Sequence, residues 1–78
     1  MDIKVLGTGC ANCQATIALI DQIARARNVT VKLEKVDELR DIMRFGVMST
    51  PGVVINGKVV HAGGVPSRDK VEQWLTAT

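Results

Sequence analysis

The chain is organised around one short stretch, which reads Gly7-Thr8-Gly9-Cys10-Ala11-Asn12-Cys13. An apolar run over residues 3–6 precedes it, and a long helical pattern follows it. We therefore predict a strand, a tight turn that Gly7 and Gly9 permit, and two cysteines on the first turn of a helix. The chain contains no other cysteine.

Two residues separate Cys10 from Cys13, so one thiol can close on the other without a large backbone movement. A helix N-terminus presents unpaired N–H groups and a partial positive charge, which favour a thiolate over a thiol. A Cys-x-x-Cys pair between a strand and a helix is therefore typical of a redox pair. The alternative is two inert structural cysteines, but these do not need this spacing, and so short a crosslinked loop adds little stability.

Length and composition limit the number of domains, the expected partners and the expected location of the protein. The 78 residues are expected to form one domain, residues 1–78, with a small core. A composition of 46% apolar and 23% charged residues is ordinary for a soluble globular chain. The net charge is +2 and no basic run carries interleaved aromatics, so nucleic acid is not an expected partner. No stretch approaches a membrane-spanning length and no signal peptide is apparent. We expect a cytoplasmic monomer.

Helical and strand patterns alternate along the next part of the chain. Apolar residues at helical spacing predict a helix over residues 11–27, which Asn28 ends. Alternating apolar and polar residues predict an edge strand over residues 29–34. A short helix is expected from its cap Asp37 to about Phe45. Its predicted buried residues are Leu39, Ile42 and Met43.

The C-terminal part predicts a hairpin and a last helix. Asn56-Gly57 separates apolar residues 53–55 from residues 58–60, and this dipeptide suits a type I′ turn. Ser67 is the expected cap of the last helix. Its predicted buried face holds Val71, Trp74 and Leu75. The order β-α-β-α-β-β-α predicts an α/β fold, in which a four-stranded mixed sheet carries helices on both faces.

Three features in this order resemble the thioredoxin/glutaredoxin superfamily, and more closely its small redox-active disulfide branch: Cys10-Ala11-Asn12-Cys13, then Thr50-Pro51, then the Asn-Gly hairpin. The resemblance covers essentially the whole chain. It implies a thioredoxin-like fold and thiol–disulfide oxidoreductase activity. It also implies that Pro51 is cis and packs beside the disulfide, while Thr50 offers its backbone to a substrate polypeptide. The substrate-binding residues expected on this basis are Gly9, Ala11, Asn12, Thr50 and Pro51.

The sequence departs from the superfamily pattern in several places. Ala11-Asn12 stands where thioredoxins have Gly-Pro, and Gly9 stands where they have Trp. Lys4 occupies the position of the buried acid that assists proton transfer in thioredoxins. Either water and Lys4 take over that proton transfer, or the redox properties of the cysteine pair differ from those of a thioredoxin. Gly63-Gly64 resembles the glutathione-binding glycines of glutaredoxins, but no acid follows, so the resemblance does not extend to glutathione use.

The expected mechanism assigns a different role to each cysteine. Cys10, at the helix start and nearer solvent, is the attacking thiolate with the lower pKa. Cys13, one turn in, resolves the mixed disulfide by attacking Cys10. The expected partners are a disulfide-containing protein substrate, which the chain reduces, and a thioredoxin-reductase-like electron donor. We predict neither a cofactor nor a metal.

Two other functions use the same residues. The cysteine stretch also resembles the G-M-x-C-x-x-C loop of heavy-metal-associated domains, and two thiolates suit soft ions such as Cu(I), Hg or As. Those carriers follow the first helix directly with a hairpin and end on a strand, whereas this chain inserts a helix and ends on one. The third alternative is a non-catalytic module that holds a partner in the Thr50-Pro51 groove.

Four further residues are expected to have plain structural roles. His61 is predicted to be solvated or locally hydrogen-bonded, because a single histidine at a strand end is rarely a ligand. Met43 and Trp74 are predicted to be core residues. Met48 lies near the Pro51 loop, where we expect it to pack against its neighbours; the alternative is that it lines the groove.

Overall fold

The strands and helices follow the predicted order β-α-β-α-β-β-α. The computed structural model describes residues 1–7 and 11–76, and its elements within these residues are β1 (Asp2–Leu6), α1 (Ala11–Ala26), β2 (Lys32–Val36), α2 (Leu39–Arg44), β3 (Gly52–Ile55), β4 (Lys58–Ala62) and α3 (Arg68–Thr76). No helix in this part of the chain is long and apolar enough to cross a membrane.

The sheet has the strand order β2-β1-β3-β4. β1 runs parallel to β2, with Ile3 opposite Leu33, and antiparallel to β3, with Val5 opposite Val53. β3 and β4 form the predicted antiparallel hairpin. The apolar β1 therefore lies inside the sheet and the half-polar β2 lies at its edge, which confirms the predicted mixed sheet and the predicted edge strand.

Alternation along β1 divides the core between the two faces of the sheet. Ile3 and Val5 belong to the larger core, which is closed by α1 and α3; its fully or nearly buried members are Ile3, Val5, Ile20, Ile23, Ala24, Val53, Val71 and Leu75. Leu6 points the other way, into the smaller core beneath α2, which comprises Leu6, Ile42, Val47 and Val54. Burial of each such branched side chain contributes about 1.5–3 kcal/mol to folding.

The local turn signals in the sequence are confirmed. Asn28 has a φ of 55° just after α1, and the Val29 N–H donates to the Ala24 carbonyl at 2.9 Å, which closes the helix end. Asn56 and Gly57 have φ values of 51° and 84°, as a type I′ turn requires. The Ser67 Oγ accepts a hydrogen bond from the Lys70 N–H at 3.2 Å, the expected N-cap contact of α3.

The predicted bounds of the second strand, residues 29–34, are wrong. β2 is Lys32–Val36, because the start of the predicted segment is used by the end of α1. Val29 and Val31 pack as half-buried side chains against the larger core without belonging to the strand. The alternation of apolar residues there reflects packing of a connecting segment and not pairing in the sheet.

The prediction for α2 is also partly wrong. The helix is Leu39–Arg44, and its N-cap is Glu38, whose side chain makes no capping hydrogen bond, instead of Asp37. Only Ile42 of the three expected core residues is buried, since Leu39 and Met43 are 63% and 67% exposed. A helix of fewer than two turns presents one side chain to this sheet, and Val47 with part of Phe45 fills the remaining space.

Two predicted packing roles need correction. Met48 is 98% exposed, so it does not pack against its neighbours. Trp74 is half-buried at the rim of the larger core, next to the buried Val71 and Leu75 on the same helix. Its large ring covers the edge of that core but does not fill its centre.

Candidate active site

Three separate parts of the chain meet beyond the end of β1. Gly7 follows the strand and is buried, and its N–H donates to the Val36 carbonyl at 2.9 Å, so the backbone here is held against β2. A Cβ placed on Gly7 would collide with the Sγ of Cys13 and would lie 3.9 Å from the Cβ of Thr50. The strand end, the first turn of α1 and the loop before β3 therefore come within van der Waals distance of one point.

Cys13 lies in the first turn of α1 with no exposed surface, and it is disulfide-bonded. The helix that carries it is anchored on the larger core through Ile20 and Ile23. Cys10, the other cysteine of the sequence and the predicted attacking residue, lies outside the described residues together with Thr8 and Gly9.

The loop that faces Gly7 contains the Thr50–Pro51 peptide bond, which is cis, as the family resemblance implies. Pro51 is buried whereas Thr50 is exposed, so the loop combines an anchored residue with an accessible one. The Pro51 carbonyl accepts a hydrogen bond from the Gly63 N–H at 3.0 Å. A Cβ on Gly63 would stand 3.2 Å from the Cβ of Ser49, so the turn after β4 packs tightly against this loop.

The predicted substrate-binding residues are distributed around this point. Thr50 lies next to Gly7 and Cys13, and its exposure leaves it open to a partner. Ala11 and Asn12 are exposed on the same helical turn that buries Cys13. Pro51 is buried behind Thr50, and Gly9 lies outside the described residues. Met48, also exposed, precedes this loop.

Lys4 does not approach Cys13. Its side chain leaves β1 on the face covered by α2, where its Nζ lies 5.8 Å from the centre of the Phe45 ring. There it lines an open cleft of about 330 Å³ together with Glu34, Val36, Asp41, Arg44 and Phe45. Because α1, which carries Cys13, packs on the opposite face of the sheet, we do not expect Lys4 to handle protons for Cys13.

His61 is locally hydrogen-bonded, as predicted. Its Nδ1 lies 3.0 Å from the Lys70 Nζ and its Nε2 lies 2.9 Å from the Gly64 carbonyl oxygen. An ammonium group can only donate, so Nδ1 is the acceptor and Nε2 carries the proton given to Gly64. The Trp74 ring lies 6.1 Å away. These contacts tie β4 to α3 and do not involve Cys13.

The sequence predicts for Gly7 only a role in the tight turn, and its role beside Cys13 is not apparent from the sequence. Its φ lies outside the left-handed region, unlike those of Gly46, Gly57, Gly63 and Gly64, so it is not needed for a backbone conformation that only glycine adopts. It is needed because the Cys13 sulfur occupies the place of a side chain. The available signal was a small residue at the end of a buried strand, beside a cysteine pair. Within residues 1–7 and 11–76, no group of three or more His, Cys, Asp or Glu side chains could hold a metal ion.

The match to a protein-family model agrees with this geometry. A model described as a thioredoxin domain matches residues 1–76, and the chain belongs to the thioredoxin family. A redox function of the general thioredoxin type, that of an oxidoreductase, follows from this membership, as does a general dependence on disulfide substrates and reductase partners.

Among similar curated proteins is a thioredoxin of Methanothermobacter thermautotrophicus, which is 29% identical over 97% of this chain and 99% of its own length. A thioredoxin of Methanocaldococcus jannaschii is 27% identical over 94% of this chain and 84% of its own length. A probable thioredoxin, also of Methanothermobacter thermautotrophicus, is 31% identical over 80% of this chain and 75% of its own length. The similarity therefore extends over most of the chain.

Proposed function

We propose that this protein is a thiol–disulfide oxidoreductase that reduces protein disulfides, with Cys10 as the attacking and Cys13 as the resolving cysteine. The observation that carries the proposal is the position of Cys13. It is disulfide-bonded, fully buried on the first turn of α1, and packed against Gly7 at a point where a Cβ on Gly7 would also lie 3.9 Å from the Cβ of Thr50. A buried sulfur is inaccessible to a folded partner, which favours the second, intramolecular step for Cys13. The first, intermolecular step then falls to Cys10.

The reaction proceeds in two exchanges. The Cys10 thiolate attacks one sulfur of the substrate disulfide, a bond forms between Cys10 and that sulfur, and the other substrate sulfur leaves as a thiolate. The Cys13 thiolate then attacks Cys10, which releases the first substrate sulfur and closes the Cys10–Cys13 disulfide. Two electrons have passed to the substrate, which takes up two protons as its thiolates become thiols.

The substrate polypeptide docks over Thr50. This residue is exposed although it lies next to the Gly7–Cys13 contact, and the buried Pro51 fixes its backbone. Ala11 and Asn12, exposed on the first turn of α1, form the opposite side of the docking surface. Gly9, the remaining residue predicted to bind substrate, lies outside the described residues. A peptide lying between them would bring its disulfide over the cysteine pair.

A thioredoxin-reductase-like protein regenerates the dithiol. It takes electrons from its own donor and passes two of them to the Cys10–Cys13 disulfide, which it reduces by thiol–disulfide exchange. We assign the protein to a reducing compartment, the cytoplasm, where a pair of close cysteines serves exchange and not crosslinking. The two thioredoxins and the probable thioredoxin to which the chain is similar support thiol–disulfide exchange as its chemistry.

Insulin reduction with dithiothreitol as the electron source tests the proposal. The wild type should accelerate the reduction, and both Cys10→Ser and Cys13→Ser should lose multiple turnover. Equal rates in the wild type and the two variants would contradict it. If the reduced protein instead fails in this assay but binds Cu(I) through both thiolates, the metal-carrier interpretation replaces it.

A further inference from the structure

We propose that Gly7 is a positioning residue whose missing side chain sets the balance between the dithiol and disulfide forms of the cysteine pair. The inference rests on the proposed function of Cys10 and Cys13. Its basis is that the Cys13 sulfur occupies the volume in which any side chain at position 7 would begin.

The backbone at Gly7 cannot move aside to admit a side chain. Its N–H is bonded to the Val36 carbonyl at 2.9 Å, and β1 is held between two neighbouring strands. On the other side, α1 is fixed by the larger core, and Thr16 in its second turn has no exposed surface. A Cβ at position 7 would collide with the Cys13 Sγ, whereas the Cβ of Cys13 would be 3.2 Å away. The sulfur is therefore the atom that must move.

The need for space differs between the two redox forms. The described position of the Cys13 Sγ is that of a disulfide-bonded cysteine, whose side-chain rotation is restricted by its partner. In the dithiol form the bond is absent and the sulfur can turn to another staggered rotamer, away from position 7. A methyl group at position 7 therefore penalises the disulfide form more than the dithiol form, and the equilibrium shifts toward the dithiol.

Gly52 provides a matched control. Like Gly7 it is buried and has no left-handed φ, although it lies within β3 whereas Gly7 follows β1. A Cβ on Gly52 would meet the Val47 Cγ1 at 3.0 Å and the Leu6 Cδ1 at 3.4 Å. Its crowding involves aliphatic side chains of the smaller core and no cysteine sulfur. Gly52→Ala should consequently destabilise both forms alike, whereas Gly7→Ala should destabilise the disulfide form selectively.

The experiment equilibrates the wild type, Gly7→Ala and Gly52→Ala with buffers of reduced and oxidised glutathione and measures the fraction of disulfide by mass spectrometry after acid quench. In this exchange two glutathione thiols and the protein disulfide become glutathione disulfide and the protein dithiol. We expect Gly7→Ala to lower the equilibrium constant for disulfide formation at least tenfold, which corresponds to a reduction potential higher by about 30 mV or more. Gly52→Ala should match the wild type. If folded Gly7→Ala has the same equilibrium constant for disulfide formation as the wild type, the inference is overturned.

A second measurement applies even if Gly7→Ala fails to fold with both cysteines present. Cys13→Ala removes the sulfur, so adding Gly7→Ala to that variant should cost much less stability in urea than adding it to the oxidised wild type. Equal losses in the two backgrounds would refute the role of the sulfur.

The outcomes separate this inference from the proposed function. If the wild type does not reduce insulin but Gly7→Ala still shifts the glutathione equilibrium, the proposed function is wrong and the positioning role stands. If the wild type reduces insulin and Gly7→Ala has the wild-type equilibrium, the positioning role is wrong and the proposed function stands. A wild type that forms no disulfide in any glutathione buffer would contradict both.

Discussion

Gly63→Ala should weaken substrate docking through the loop that carries Thr50. Gly63 has a φ of +84°, and a Cβ there would stand 3.2 Å from the Cβ of Ser49. Its N–H also holds the Pro51 carbonyl at 3.0 Å. An alanine at this position therefore has two costs. Its backbone is strained in the left-handed region, and its Cβ makes a steric contact with Ser49, the residue that precedes Thr50.

The two costs can be separated with Gly64→Ala. Gly64 has a similar φ of +72°, but a Cβ there would meet nothing within 4 Å. Gly64→Ala should lose about 1–2 kcal/mol of unfolding free energy, the usual cost of a left-handed L-residue. Gly63→Ala should lose about 1 kcal/mol more, at the lower end of what overpacking costs.

The functional effect should follow the same difference. If the contact with Ser49 displaces the docking loop at the same cost of about 1 kcal/mol, the KM for insulin disulfides rises about fivefold in Gly63→Ala. Gly64→Ala should retain the wild-type KM, because its strain does not reach the loop. Urea unfolding and insulin reduction on the same samples measure both quantities. Equal stability losses and equal KM values in the two variants would refute this account of the loop.

Two other predictions concern residues on the α2 face of the sheet. Ile42→Ala should lower the free energy of unfolding in urea by about 2–5 kcal/mol, because Ile42 is only 2% exposed. Leu39→Ala should stay within about 0.5 kcal/mol of the wild type, because Leu39 is 63% exposed. Similar losses in the two variants would contradict the assignment of the smaller core. Lys4→Gln should leave the pH profile of insulin reduction unchanged, since the Lys4 ammonium lies over Phe45 on the face opposite α1; a shifted profile would show that Lys4 does act on the cysteine pair.

The features that could be predicted from the sequence are those set by local chemistry. Asn56-Gly57 fixes a type I′ turn almost independently of its surroundings, and Asn28 readily takes the left-handed φ that ends α1. The order of elements around the cysteine pair then leaves few topologies for a four-stranded sheet. The site follows from this topology, because it brings the loop before β3 to the end of β1.

The features that could not be predicted depend on contacts between distant residues. Val29 and Val31 alternate like a strand, yet the end of α1 takes the first of them into its closing hydrogen bond. Leu39 and Met43 have helical spacing, but only tertiary packing decides how much of a short helix meets the sheet. Lys4 is different: its face follows from simple alternation with Ile3 and Val5 along β1. The space that Gly7 leaves for sulfur depends on a residue six positions later.

The central claim is that Cys10 attacks and Cys13 resolves, and trapping of the mixed disulfide tests it most directly. Reduced Cys13→Ser and Cys10→Ser variants would each be mixed with a peptide that carries one disulfide, and the products identified by mass spectrometry. The account predicts that Cys13→Ser accumulates a peptide adduct on Cys10, because the second exchange is missing, whereas Cys10→Ser accumulates none, because the sulfur of Cys13 is buried. A stable adduct on Cys13, or none on Cys10, would contradict it.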